Sequence, residues 1–236
     1  MHNDDKVLTE FWRKITEELL PVYCNDAKRG YSIAGFKPTA KIISAQDARD
    51  FMRALDCKAV TDLGGCRYLT PIRGEMPQVL FWEGQKKIKP RPITLWVETL
   101  VTIAAMGRLH LDYGWPIECL QMQSVNWEFD MVVFKQQEFK NEYIAGEVKS
   151  DKKKLDLLLE NLHKCCRGDH DCNNSASSAS RERYNAHQKW LGLCRSHASF
   201  FWALGPGGDS RVFKVYYSPD GIITLEKTSE TQLNFS

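Results

Sequence analysis

Apolar side chains recur every three or four residues in the first part of the chain, a spacing typical of amphipathic helices. It predicts a helix over residues 5–20, ended by Pro21, and a second helix over residues 45–55. Residues 93–108 are apolar on most sides, so we expect a largely buried helix there. Residues 58–85 mix glycines and prolines with short candidate strands.

The pattern changes in the second half, where β-rich apolar runs alternate with helical patterns. We predict helices over residues 152–164 and 183–194, and strands over residues 117–122, 127–134, 143–149, 200–204, 212–217 and 222–225. This order is mixed α/β, with a hairpin at its centre. We therefore divide the chain into an N-terminal region, residues 1–90, that is a candidate for substrate recognition, and a core, residues 91–236.

The two regions meet at a basic stretch, Lys86, Lys87, Lys89 and Arg91, which prolines interrupt. Two interpretations stay open: a solvated linker, or a contact to phosphates. The net charge of the whole chain is only +2, so any nucleic-acid surface must be local.

Composition also bears on the compartment. The first residues are polar and acidic, unlike a secretory signal, and no apolar run is long enough to span a membrane. Eight cysteines without an export signal indicate a reducing compartment. We expect a cytoplasmic protein with no membrane partner.

The central hairpin carries the candidate chemistry. A turn centred between Glu138 and Phe139 places Asp130 directly opposite Glu147, with β-carbons about 5 Å apart. Because side chains alternate along a strand, Lys149 shares that face, and Val148 points into a core on the other.

Two neighbouring carboxylates repel each other, and a divalent cation removes that repulsion. Oxygen ligands suit Mg²⁺ (or Mn²⁺), and the adjacent lysine can stabilise charge on an attacked phosphorus. Glu98 adds a third acid, although the helix dipole alone also favours a glutamate in a first turn. The competing interpretation is an exposed strand edge that carries Glu and Lys as an ion pair.

An acid on a helix, Asp130 on one strand, Glu147-Val148-Lys149 on the next and then a helix resemble the PD-(D/E)xK nuclease superfamily. The resemblance covers roughly residues 92–217. It implies a restriction-endonuclease-like core, a central mixed sheet flanked by helices, here with a mostly helical N-terminal extension. Phe129 stands where many members have proline.

The matching positions imply particular roles. Asp130, Glu147 and the Val148 carbonyl would bind the metal, Glu98 would bind it directly or through water, and Lys149 would be the catalytic lysine. The implied activity is Mg²⁺-dependent hydrolysis of DNA, in restriction, defence or repair. Such nucleases often act as homodimers, which no feature of this sequence tests.

Two alternatives remain open. The fold could serve a non-catalytic module that binds nucleic acid or protein. A segment near residues 163–197 is rich in Cys and His and could hold a structural Zn²⁺, or it could carry only free thiols and loop histidines. Its candidate ligands are His163, Cys165, Cys166, His170, Cys172, Cys194 and His197.

Overall fold

The computed structural model describes residues 3–25, 31–38, 43–71, 76–135, 142–168 and 178–235. The chain opens with helix α1 (Asn3–Arg13), a π-helical turn (Lys14–Leu19) and α2 (Leu20–Cys24) in direct succession. The prediction that Pro21 ends the first helix was wrong. Pro21 lies in the first turn of α2, directly after the π-helical turn, where its missing N–H is tolerated.

Helix α3 (Ala45–Asp56) confirms the second predicted helix. Ser44 and Asp47 form a capping box at its start, each side chain accepting a backbone N–H from the other residue. A short 3₁₀ turn (Ile33–Gly35) precedes it in the chain.

Five short strands follow in two small sheets. Strands β1 (Thr61–Asp62), β2 (Arg67–Leu69) and β3 (Gln78–Val79) form one antiparallel sheet, and β4 (Phe81–Glu83) pairs with β5 (Ile93–Leu95) in a hairpin. Helix α4 (Val97–Leu111) comes next. The predicted helix over residues 93–108 was therefore wrong at its start, because apolar Ile93 and Leu95 pair with β4 instead.

A six-stranded mixed sheet forms the centre of the molecule, in the order β11-β10-β9-β8-β7-β6. Its strands are β6 (Leu120–Met122), β7 (Met131–Phe134), β8 (Glu142–Val148), β9 (Phe200–Leu204), β10 (Ser210–Tyr217) and β11 (Ile223–Thr228). The predicted strand over residues 117–122 was wrong in its first half, since Ile117–Cys119 is a 3₁₀ turn, and the strand predicted over residues 143–149 ends at Val148.

Neighbouring strands of this sheet are antiparallel except β8 and β9, which run parallel. Parallel neighbours need a crossover, and helices α5 (Lys152–Cys166) and α6 (Ser178–Ser196) provide it. The mixed α/β class and the flanking helices are thus confirmed.

The sheet separates two apolar cores. On one face, Ile144, Val148 and Trp202 pack with the N-terminal helices and α4. On the other face, Ala145 and Phe201 pack with α5 and α6. The first core contains residues from both sides of the predicted boundary at residue 90, Phe11 and Phe51 with Leu100. Among the described residues, no helix is long and apolar enough to cross a membrane.

The contact between α3 and α4 depends on Gly107. A Cβ there would lie 2.8 Å from the Cβ of Ala54 and 3.0 Å from the backbone oxygen of Asp50. We expect Gly107→Ala to lower the free energy of unfolding by about 1–3 kcal/mol, although alanine favours an isolated helix. Urea denaturation measures this, with Gly205→Ala as the control because its new Cβ meets nothing closer than 3.5 Å. Equal losses in the two variants would contradict the packing argument.

Glu142, at the start of β8, gives a pH-dependent prediction. Burial raises the pKa of its carboxyl to about 7, and its Oε2 has no hydrogen-bond partner among the described residues. The folded state therefore binds this proton more tightly than the unfolded state, and stability falls as pH rises from about 4 to about 7. We expect Glu142→Gln to gain on the order of 1–3 kcal/mol relative to the wild type across that window.

Urea denaturation of both proteins between pH 4 and pH 8 checks this expectation. Glu160→Gln, at an exposed site, is the control and should track the wild type. Parallel stability curves for Glu142→Gln and the wild type would show that Glu142 does not hold an extra proton.

Candidate active site

The hairpin of β7 and β8 has the predicted register next to the two acids. Met131 pairs with Gly146, Val132 with Ala145 and Val133 with Ile144. One step further, the same register sets Asp130 beside Glu147. The ladder shifts by one residue between Val133 and Phe134, and the predicted turn around residues 136–140 lies outside the described residues.

The first strand of this hairpin is shorter than predicted. Residues 127–130 are not a strand, because Trp127 has φ +64° and belongs to a turn. The Ser124 Oγ accepts the backbone N–H groups of Glu128 and Phe129, which closes the loop before Asp130. The strand begins at Met131, so Asp130 lies at the exact junction of loop and sheet.

The side chain of Asp130 forms a hydrogen bond at the end of the β7–β8 ladder. Its Oδ2 accepts the backbone N–H of Val148 at 2.8 Å. The Gln78 Nε2 lies 3.5 Å from the backbone oxygen of Asp130, which holds β3 near the same place. The half-buried carboxylate is thereby fixed at the end of β8, directly against Glu147.

Glu147 is almost completely buried, with 1 % of its surface exposed. Each carboxylate oxygen faces a lysine. The Nζ of Lys149 lies 2.5 Å from Oε1, and the Nζ of Lys189 lies 2.7 Å from Oε2. Lys189 also donates to the backbone oxygen of Glu128. Two lysines, one directly after β8 and one on helix α6, thus neutralise the buried carboxylate from two sides.

The two acids respond in opposite ways to this environment. Burial and the neighbouring charge of Glu147 raise the pKa of Asp130 to about 7. Burial alone would also raise the pKa of Glu147, but the ammonium groups of Lys189 and Lys149 hold it below its ordinary value. Negative charge at this site is therefore stable on Glu147 and costly on Asp130.

Lys149 stays fully charged. Burial alone would lower its pKa, but Glu147 and Asp130 outweigh burial and raise it above the ordinary value. The negative charge of Glu98 also raises the pKa of Lys149. The lysine is therefore a fixed positive charge at neutral pH.

Glu98 joins the site through the backbone that follows Lys149. It lies in the first turn of α4, the place that the helix-dipole interpretation gave it, and its Oε1 accepts the backbone N–H of Ser150 at 3.0 Å. The Nε1 of Trp96 lies 3.5 Å from its other oxygen. Its role as a metal ligand remains a prediction.

The donor chemistry of the site suits a hard divalent cation. Asp130 and Glu147 offer carboxylate oxygens, and their mutual repulsion is the strain that a cation relieves. Both oxygens of Glu147 already contact lysines, so a metal would share or displace one ammonium. Within the described ranges, no group of three His, Cys, Asp or Glu side chains is positioned to hold a metal ion.

The Cys/His-rich segment gives no zinc site in the part of the chain that the structure describes. His163 stacks edge-on against Phe213, and the ring of His197 lies against Tyr217. Burial raises the pKa of the Cys166 thiol to about 12, which disfavours the thiolate that zinc binds. His170 and Cys172 lie outside the described residues, so zinc binding remains a prediction.

Sequence reasoning missed Lys189. The residue lies in the predicted helix over residues 183–194, but nothing in that pattern indicates which of its polar side chains turns inward. The crossover from β8 to β9 is what brings α6 against the end of β8. Only 12 % of the Lys189 side chain remains exposed there.

Comparison with known proteins adds no relative: no family model matches the chain, and neither a curated protein nor a solved structure matches it.

The pairing of Lys189 with Glu147 can be measured by a double-mutant cycle. Lys189→Met leaves one oxygen of a buried carboxylate without its cation, so we expect a loss of about 2–4 kcal/mol in unfolding free energy at pH 8. In a Glu147→Gln background the same substitution should cost at least about 1 kcal/mol less.

Lys164→Met is the control, because the Lys164–Glu160 pair is exposed and should contribute little. Chemical denaturation gives the four corners of the cycle. Additive effects of Lys189→Met and Glu147→Gln would mean that the two groups do not stabilise each other.

Proposed function

We propose that the protein is a metal-dependent nuclease that hydrolyses DNA phosphodiester bonds on a restriction-endonuclease-like core. Asp130, Glu147 and Lys149 would form the site, with Glu98 beside them. The observation that carries the proposal is the pairing of two carboxylates, Asp130 and Glu147, at one end of adjacent strands, with an ammonium in direct contact.

The surrounding topology supports the proposal. An antiparallel hairpin, a helical crossover and a parallel strand follow one another around the site. This order agrees with the core that the PD-(D/E)xK resemblance implies. Asp130 precedes one strand and Lys149 follows the next, so both lie at the same end of the sheet.

Each residue has a task that follows from its environment. Asp130, Glu147 and the Val148 carbonyl would hold Mg²⁺ or Mn²⁺, which supplies Lewis-acid activation of water and neutralises phosphate charge. Lys149 keeps its proton because two acids raise its pKa, so it acts as an electrostatic stabiliser of the phosphate and not as a general base. Lys189 positions Glu147 and keeps it ionised.

The same ion pairs favour a second candidate, a non-catalytic module that binds nucleic acid or protein. Glu147 is neutralised by Lys149 and Lys189 without any metal, as in a purely structural network. In that case Asp130 would serve only to cap the Val148 N–H. The two candidates differ in whether Mg²⁺ binding and cleavage depend on Asp130.

Cleavage of linear, circular, single-stranded and branched DNA, and of RNA, with Mg²⁺ or Mn²⁺ tests the proposal. We expect the wild type to cut DNA, and Asp130→Asn and Lys149→Met to lose about 10²–10³-fold in rate, because each removes one charge that stabilises the reaction. Circular dichroism and thermal melting establish that the variants are folded.

Glu160→Gln and Lys164→Met are matched controls. They remove an acid and a lysine from an exposed ion pair on α5, and cleavage should be unchanged. Activity that survives both Asp130→Asn and Lys149→Met would refute this site. A folded wild type that cuts no substrate with either metal would favour the binding module.

A further inference from the structure

One face of the hairpin of β4 and β5 carries two exposed tryptophans. Trp82 pairs with Thr94 across the hairpin, and Trp96, the first residue after β5, lies on the same side as Trp82. The alternate side chains Phe81, Ile93 and Leu95 are buried in the first core. The outer face therefore presents two indoles in succession.

The two indoles form a compact surface. Their ring centroids are 5.1 Å apart at an angle of 84°, and the exposed fractions are 56 % for Trp82 and 37 % for Trp96. Exposed, adjacent tryptophans are costly in water and are typical of surfaces that bind a flat partner.

The strand ends next to the loop are held by side-chain contacts. Arg91 donates to the Gly84 carbonyl at 2.8 Å and pairs with Glu83 at 3.0 Å. The Tyr23 hydroxyl donates to the same glutamate at 2.6 Å. Fixing both strands in this way presents the indoles on a rigid support.

The tip of the hairpin is basic. Lys86, Lys87 and Lys89 are all exposed, and within the described residues none of them forms an ion pair. The basic stretch is therefore the connection of a folded hairpin and not a linker between domains. Three residues of strand separate this tip from the far end of the hairpin, a span of about 10 Å.

The indoles adjoin the candidate active site. Trp96 precedes α4 directly, and its Nε1 lies 3.5 Å from a carboxylate oxygen of Glu98. The same Glu98 accepts the N–H of Ser150, one residue after Lys149. A molecule that stacks on Trp96 therefore reaches the edge of the site.

We propose that this hairpin binds an unpaired strand of nucleic acid, with bases stacked on Trp82 and Trp96 and phosphates at Lys86, Lys87 and Lys89. The proposal rests on the proposed function, for which it names the substrate class: single-stranded DNA, or a duplex with an unpaired end. Base stacking selects unpaired strands, because in a duplex both faces of each base are already covered. The lysines add attraction to the backbone without a preference for sequence.

Fluorescence anisotropy with a labelled oligothymidylate and with a blunt duplex of the same length tests the proposal. Measurements in EDTA prevent cleavage. We expect the single strand to bind at least tenfold more tightly than the duplex and to quench tryptophan fluorescence. The Trp82→Ala/Trp96→Ala double variant should lose at least tenfold in affinity for the single strand. The Trp82→Phe/Trp96→Phe double variant should retain part of that affinity, because phenylalanine can still stack on a base.

The contribution of the three lysines at the tip is tested by the salt dependence of binding. Replacing Lys86, Lys87 and Lys89 by serine should make the slope of log K against log salt shallower by about 2. Tyr216→Ala and a triple serine variant at Lys6, Lys214 and Lys227 are controls at other exposed positions and should bind as the wild type does.

Equal or tighter binding of the duplex overturns the proposal, as do unchanged affinities in folded tryptophan variants and failure to bind either nucleic acid. Asp130→Asn is measured in parallel. Binding that depends on Trp82 and Trp96, without cleavage by the wild type, would refute the nuclease and keep the hairpin site. Cleavage that depends on Asp130 but not on the tryptophans would refute the hairpin site alone.

Discussion

The buried carboxylate of Glu147 is the group on which the rest of the site depends. An isolated ionised carboxylate inside a protein costs far more free energy than one residue can recover elsewhere, so it must be paired or neutralised. Here it is paired twice, by Lys149 directly after β8 and by Lys189 from helix α6. The second lysine links the electrostatics of the strand to the packing of the crossover, because Lys189 reaches Glu147 only when α6 lies against the sheet.

Topology then gathers the remaining charges. β7 and β8 are antiparallel, so the start of one and the end of the other share an edge, where Asp130 meets Glu147 and Lys149. β9 runs parallel to β8, which requires the crossover through α5 and α6. Helix α4 begins at the same edge and contributes Glu98 through the Ser150 N–H. Residues far apart in the chain thus come together at one end of β7 and β8.

Much of this edge could be predicted from residues close together in the chain. Alternation along the two predicted strands brought Asp130, Glu147 and Lys149 together, although Asp130 and Lys149 lie just outside β7 and β8. The ladder also shifts after Val133, and the turn used to derive the register lies outside the described residues. Contacts between distant elements could not be predicted in this way. Lys189 depends on how a helix rotates against the sheet, and the strand at Ile93 has an apolar pattern that fits the start of α4 equally well.

The balance of charge in this cluster bears on the metal site that we propose. A stable buried network pairs each charge with its opposite, and Asp130 and Glu147 together balance the charges of Lys149 and Lys189. The ionised form of Asp130 is nevertheless disfavoured, because burial together with the charge of Glu147 raises the pKa of Asp130 to about 7. The Val148 N–H that Asp130 accepts needs only a neutral acceptor, which an asparagine would supply without repulsion. The aspartate therefore costs stability at neutral pH, and the divalent cation that we propose between Asp130 and Glu147 would relieve this cost by binding both carboxylates.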